Sequence, residues 1–409
     1  MGSTKSCRVS GGLLNEIIDF GRQPLGNGFL DKVDFKNEYF YEMKLGFNDT
    51  SKMVQLLFQP DPEKMFHEDY AFFSSTSLSM SKHFEQLYAF INNSSYISNL
   101  DPFIVELGCN DGILLKHFAL KGINHLGIEP SINVAEMANK NGVQTISKFF
   151  NKNLAKDIVQ NKGRANIVVS ANVMCHIPNI VDVVEGLSIL IADKGVLIFE
   201  DPYLGDVVEK TSYDQIYDEH VYLFSAISVK KLFEKYGFEL IDLQPQKTHG
   251  GSMRYILAHK GMYDIQPNVN KILDKEKILG LDNLDKLNIF ASNVKESRIK
   301  LIKLLKTIKS RGKTIAGYAA TSKSTTILNY CKIGTEYIDY ISDTTPIKQG
   351  RFSPGMHIPI VSHQHFLDNP PDFAFLLAWN HLDEIISKES KFTENGGKWI
   401  INVPEPRIL

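Results

Sequence analysis

The run Val105-Glu106-Leu107-Gly108-Cys109-Asn110-Asp111-Gly112 admits few folds. It follows the apolar segment Pro102 to Val105 and leads into Ile113-Leu114-Leu115-Lys116-His117-Phe118, which has helical spacing. A buried strand therefore ends in a glycine-containing turn, and a helix begins. Glycine at such a junction lets a ligand approach the backbone, where the unpaired N–H groups of the helix start can meet it. The turn carries Glu106 and Asp111 and no Lys or Arg, whereas a triphosphate loop needs Gly-Lys-Ser/Thr. Acid here suits a cationic or hydroxyl-bearing ligand. Gly127-Ile128-Glu129-Pro130 supplies a second strand ending in a carboxylate, 23 residues after Glu106, where an acid can grip both hydroxyls of a ribose. Gly108-x-x-x-Gly112 is not the G-x-G-x-x-G of a dinucleotide site.

This combination resembles the class I methyltransferases that use S-adenosylmethionine, and the remaining strands extend the pattern. Ile132 to Asn141 reads as a helix, and Val143-Gln144-Thr145-Ile146 as a short strand followed by Phe149-Phe150. Phe149 could pack on an adenine ring, although core packing is the default for Phe. Asn166 to Asn172 is another buried strand, leading to Val173-Met174-Cys175-His176-Ile177-Pro178. Ligands sit beyond the carboxyl ends of parallel strands, so Asn172 and His176 fall near the cofactor edge. Gly195 to Tyr203 adds a strand, and Phe238–Leu243 with Ser252–Leu257 form a closing antiparallel pair.

With 409 residues, two or three domains are expected. A net charge of −2 excludes an extended nucleic-acid footprint. Four scattered cysteines, Cys7, Cys109, Cys175 and Cys331, make no C-x-x-C pair, which fits a reducing cytoplasm and no disulfide framework. The start is polar and no stretch of about 18 apolar residues occurs, so neither secretion nor a membrane span is expected.

Residues 1 to about 60 read as short strands and turns, with Pro24 to Phe29 a loop. Asp69-Tyr70-Ala71-Phe72-Phe73-Ser74-Ser75-Thr76-Ser77 precedes a helix with Met80, Phe84, Leu87 and Ile91 on one face. The cluster suits a helix cap somewhat better than a lid over a polar ligand. In Tyr213 to Ser225, Asp218, Glu219 and His220 are flanked by tyrosines, and a carboxylate beside imidazole is what a general base needs. A structural, hydrogen-bonded His accounts for the segment equally well. Thr248-His249-Gly250-Gly251-Ser252 is a weak anion turn. Residues 265 to 310 read as two helices, the second, Leu287 to Ser310, long and basic at its end. Then Lys313 to Thr326 repeats the strand, turn and helix with hydroxyls and Lys323, a turn that favours an anion such as phosphate. Tyr337–Asp343 and Phe373–Asn380 are its further strands.

Taken with Lys348-Gln349-Gly350-Arg351-Phe352-Ser353-Pro354-Gly355, these segments resemble the sugar C-methyltransferases that act on nucleotide-linked deoxysugars, over almost the whole chain. The resemblance implies an α/β fold in three parts: a degenerate zinc-binding-type domain over 1–72, a Rossmann-like methyltransferase domain over 73–264, and a smaller Rossmann-like substrate domain over 265–409. It implies methylation at C3 of a 4-keto-6-deoxyhexose on a nucleoside diphosphate, through an enolate. His220 matches the family's base, with Glu219 and Tyr217 to orient it or stabilise the enolate. A further catalytic tyrosine maps to Tyr70 or Phe72; Phe72 would lack the hydroxyl. Glu106, Gly108, Asn110, Asp111, Glu129, Pro130, Phe149, Asn172 and His176 would hold S-adenosylmethionine. Tyr222, His249, Lys323, Ser324 and Arg351 would hold the substrate. The family's zinc domain has two Cys-x-x-Cys pairs. Here Ser10 follows Cys7, and the later pair is absent from Lys44 to Thr50, so no zinc is expected and this domain should fold by packing alone. The sequence leaves the oligomeric state open. An O- or N-methyltransferase, or a non-catalytic binding relative, are the alternatives.

Overall fold

The computed structural model describes residues 5–60, 78–97 and 101–409. Tyr70 and Phe72, with the cluster around them, lie outside the described residues. β1 (Asn15–Pro24), β2 (Phe40–Asn48) and β3 (Met53–Leu56) form an antiparallel N-terminal sheet. Next come β4 (Ile104–Leu107), β5 (His125–Ile128), β6 (Thr145–Ile146), β7 (Ala165–Ala171), β8 (Ile191–Pro202), β9 (Tyr222–Leu223), β10 (Phe238–Gln246) and β11 (Ser252–His259). All but β9 join one sheet in the order β10-β11-β8-β7-β4-β5-β6. The strands from β8 to β6 run parallel, while β11 and β10 close the edge as the expected antiparallel pair.

The apolar runs explain this order. β4 is buried along its whole length, as a central parallel strand must be. The helix Leu78–Asn92 buries Phe84, Leu87 and Ile91 on one side of the sheet, with Ile104, Ile113 and Phe118. The order reverses between β4 and β7, the switch point where ligands of α/β sheets bind. No helix among the described residues is long and apolar enough to cross a membrane.

The third sheet comprises β12 (Ile315–Tyr318), β13 (Ile341–Asp343), β14 (Ile360–Ser362), β15 (Phe373–Leu376), β16 (Lys398–Ile401) and β17 (Arg407–Ile408), ordered β14-β13-β12-β15-β16-β17. The strand expected from Tyr337 starts only at Ile341, because Tyr337 and Ile338 both donate to the Gly334 carbonyl in a turn.

The three parts interlock more than the proposed boundaries suggest. β9 leaves the methyltransferase sheet and pairs with β3, Val54 opposite Leu223 and Gln55 opposite Tyr222. The helix Leu284–Ser310 buries Leu287, Phe290, Val294, Leu301 and Leu305 in a core that also holds Ile18, Phe20 and Leu45 of the N-terminal sheet. The helix Pro267–Leu279 packs instead on the methyltransferase domain. Its buried Glu276 accepts the Ala226 and Ile227 N–H groups, the helix start that Ser225 also caps.

Candidate functional site

The first cluster lies at the switch point. Gly108 and Gly112 have φ of +67° and +81°, and a Cβ on Gly108 would come within 2.3 Å of Val173. Glycine is therefore required for the β4 turn to sit against the segment after β7. Glu106, Asp111 and Glu129 are buried around this turn. Glu129 accepts the Asn110 N–H at 3.1 Å and the Ser131 N–H at 3.0 Å. Burial pushes Glu106 well above the ordinary carboxylate range, and the charges of Glu129 and Asp111 push it further. Its Oε2 is buried with no hydrogen-bond partner, as is Asn172 Oδ1. The orphaned oxygens of Glu106 and Asn172, with Asp111 and Glu129 as two further acids, suit a ligand bearing hydroxyl and ammonium groups, which S-adenosylmethionine supplies. Pro130 borders the same edge half-buried, and Phe149 is half exposed while Phe150 enters the core.

The second cluster is the loop before β9. The His220 Nδ1–H donates to the Gln215 carbonyl at 2.7 Å, which leaves Nε2 as the lone-pair nitrogen. The Tyr217 hydroxyl sits 3.0 Å from that nitrogen. Burial, with His176 beside it, pulls His220 well below its ordinary range, so the ring is neutral. The His176 ring lies 5.3 Å from that of His220, and burial lowers it to about 4. Asp218 and Glu219 are both pushed up by burial, Glu219 also by the Asp218 charge. At neutral pH the pair therefore holds at least one proton.

The sequence reading missed what holds these acids. Asn27 Nδ2 donates to Glu219 Oε1 at 2.7 Å, and Ser322 Oγ donates to Asn27 Oδ1 at 2.7 Å. Gly26 N donates to Asp218 at 2.9 Å, and Thr325 Oγ1 to the Gly26 carbonyl at 3.0 Å. One amide thus joins the N-terminal loop, the Glu219 segment and the C-terminal helix Ser322–Cys331. Pro24 to Phe29 read as a plain loop because its partners are nearly 200 and 300 residues away.

The third cluster lies beside the second, with Lys323 and His249 close enough to His220 to act on its charge. Lys323, in the first turn of that helix, reaches the His249 carbonyl at 3.3 Å, and burial lowers it to about 8. His249 has φ of +55°, and its buried Nε2 has no hydrogen-bond partner. Trp379 lies over Gly250, where a Cβ would meet it at 2.2 Å, and donates to Asp214 at 2.6 Å. Ser324 and Tyr222 lie differently. The Ser324 hydroxyl is engaged by the Thr321 carbonyl in the helix cap, and the fully buried Tyr222 hydroxyl donates to the Pro178 carbonyl. Arg351 is half-buried next to Phe352, whose backbone pairs with Leu30.

Cys175, His176 and His220 offer ligand atoms within 4.8 Å of one another. Burial, followed by the Asp201 charge, pushes the Cys175 thiol well above its ordinary range.

Comparison with known proteins places the chain in a family. The family described as C-methyltransferase C-terminal domain matches residues 247–404, a methyltransferase domain matches 81–243, and a zinc binding domain matches 7–66. C-methyltransferase NovU of Streptomyces niveus is 32% identical over 396 residues, covering 96% of this chain and 94% of NovU. The chain belongs to the C-methyltransferase family. It is an S-adenosylmethionine-dependent methyltransferase. A ubiquinone biosynthesis O-methyltransferase of Colwellia psychrerythraea is 27% identical, over only 24% of this chain and 41% of its own length. Among solved structures, magnesium protoporphyrin IX methyltransferase of Synechocystis with bound S-adenosylmethionine matches with a TM-score of 0.35 and 14% identity, covering 48% of this chain and 89% of that one.

Proposed function

We propose that this enzyme methylates the carbon beside the ketone of a nucleotide-linked keto-deoxysugar, C3 of a 4-keto-6-deoxyhexose, with His220 as the base. The observation that carries the reading is the neutral, buried His220, its Nδ1–H fixed on the Gln215 carbonyl and its Nε2 turned to Tyr217. A C–H next to a ketone is acidic enough for such a base once the developing oxyanion is stabilised. A Glu219 kept protonated can donate to that oxygen, and Tyr217 can accept the place at Nε2 again when substrate leaves. S-adenosylmethionine supplies the electrophilic methyl group; Glu106, Asp111, Glu129 and Asn172 would hold its polar ends. Lys323 and the His249 turn would meet the diphosphate, with Arg351 as a further cation. An O- or N-methyl transfer would have no use for a base directed at a carbon-bound proton.

The test is solvent deuterium exchange into a panel of 4-keto sugar nucleotides, followed by mass detection of one added methyl. Exchange at the carbon next to the ketone supports the reading. A methylated oxygen or nitrogen instead would sink it.

The proton inventory has a sign. The acid limb of kcat/KM is expected to fall at lower pH than an ordinary imidazole would set, because burial pulls His220 well below its usual range. The alkaline limb should follow ionisation of the raised Glu219, and Glu219→Gln should remove that limb. Asn27→Ala removes a donor that favours the ionised Glu219, so it should move the limb upward and cut kcat about tenfold. Calorimetry should find unchanged S-adenosylmethionine affinity in the same variant. An unmoved limb in both variants would take Glu219 out of the mechanism.

A further inference from the structure

The match of residues 7–66 to a zinc binding domain carries an expectation that the donor set does not meet. Two loops bring four side chains together, Cys7 and Ser10 on one, Asn48 and Ser51 on the other, both pairs with two residues between. Cys7 Sγ lies 3.3 Å from Ser51 Oγ. Ser10 Oγ donates to Asn48 Oδ1 at 2.9 Å, and Ser51 Oγ donates to the same oxygen at 2.8 Å. Asn48 Nδ2 closes the circle on the Leu13 carbonyl at 2.9 Å. Cys7, Asn48 and Ser51 are each 2% exposed. One thiol with two hydroxyls and an amide does not make a structural zinc site, which takes four Cys or His donors. Nor does packing alone account for this corner, because its centre is polar.

We propose that the metal of this domain has been replaced by a hydrogen-bonded knot, and that its four positions remain a latent tetrahedral site. Three observations carry this. The two pairs keep the two-residue spacing of a zinc knuckle. Three of the six pairs of terminal atoms, Cys7–Ser51, Ser10–Asn48 and Ser51–Asn48, already stand 2.8 to 3.3 Å apart; sulfurs at 2.3 Å from zinc would stand roughly 3.8 Å apart. Backbone N–H groups two residues on point at three of the four: Val9 at Cys7 Sγ, Gly12 at Ser10 Oγ and Met53 at Ser51 Oγ. Such donors would stabilise thiolates. The knot closes the turn between β2 and β3, and β3 is the strand that receives β9. The corner beneath the His220 segment therefore needs no metal. This inference does not rest on the proposed substrate.

Metal content of the full-length chain, loaded with zinc and dialysed, should be the same for wild type and Cys7→Ser. EDTA should leave melting and methyl transfer unchanged. Zinc held by wild type and lost in Cys7→Ser would overturn the proposal. Ser10→Cys, Asn48→Cys and Ser51→Cys combined should bind about one cobalt(II) per chain with a thiolate charge-transfer band, and melt higher with zinc than without. A combined variant that binds S-adenosylmethionine yet takes no metal overturns the latent site. Asn48→Ala, tested separately, should lower the melting temperature by roughly 3–6 °C with no rescue by zinc. Wild-type melting in that variant would overturn the knot.

Discussion

His220→Ala is expected to lower kcat by about a thousandfold or more, the range for loss of a positioned general base. The loss should appear equally in solvent deuterium exchange run without S-adenosylmethionine, because proton removal needs only the sugar and the base. The argument rests on geometry. The ring is fixed from one side by the Gln215 carbonyl at 2.7 Å, and from the other by the Tyr217 hydroxyl at 3.0 Å. Alanine removes both bonds and the acceptor nitrogen, and leaves no other neutral imidazole in that position. The His176 ring is 5.3 Å away, and it is fixed on a different strand end. His220→Gln should be as inactive, since an amide keeps hydrogen bonding but accepts no proton at neutral pH. Calorimetric S-adenosylmethionine binding near the wild-type value would show that the cofactor crevice is intact in both. Retention of exchange in either variant would assign the base elsewhere.

Gly108→Ala should cost about 2–4 kcal/mol of stability and with it most S-adenosylmethionine binding. Two penalties combine. A φ of +67° is strained for any residue with a Cβ, and the new methyl would stand 2.3 Å from a Val173 methyl. They can be separated. Val173 is half-buried, so Val173→Ala costs little alone and removes the two methyl contacts at 2.3 and 3.0 Å, leaving its Cβ at 3.2 Å. The double variant should then keep mainly the backbone strain, about 1–2 kcal/mol. Thermal melting and calorimetry of the two single variants and the double would read this. Additive effects in the double variant would show that the turn and the segment after β7 do not press on each other.

Much of this was legible in the chain because its signals are local. The strand-and-acid pair Glu106 and Glu129 announces the switch point. The alternation of apolar strands and helices announces both larger sheets, and the Tyr217 to Tyr222 segment announces a candidate base. The rest depended on contacts between distant segments. Asn27 reads as a turn residue, and only the fold shows it bridging Glu219 and Ser322. Tyr222 and Ser324 have side chains that bind ligands elsewhere, and nothing in their neighbours announces that backbone carbonyls already engage them. Asn48 and Ser51 are ordinary turn residues until Cys7 and Ser10 are found against them. Glu276 caps the helix that starts at Ala226, a contact across 50 residues. A charged residue at an interior helix position gives no hint of which distant helix end it serves.

β9 has a consequence for how such genes can recombine. The strand is two residues long, and it is held to the first sheet through Val54, Gln55 and the Leu56 N–H on the Val221 carbonyl. Residues around 53–56 and 221–223 are therefore one inherited unit, although more than 160 positions separate them. A hybrid that takes its first third from one parent and the remainder from another would join strands that never evolved side by side. Crossovers that carry both stretches from the same parent should yield active offspring far more often than those that divide them.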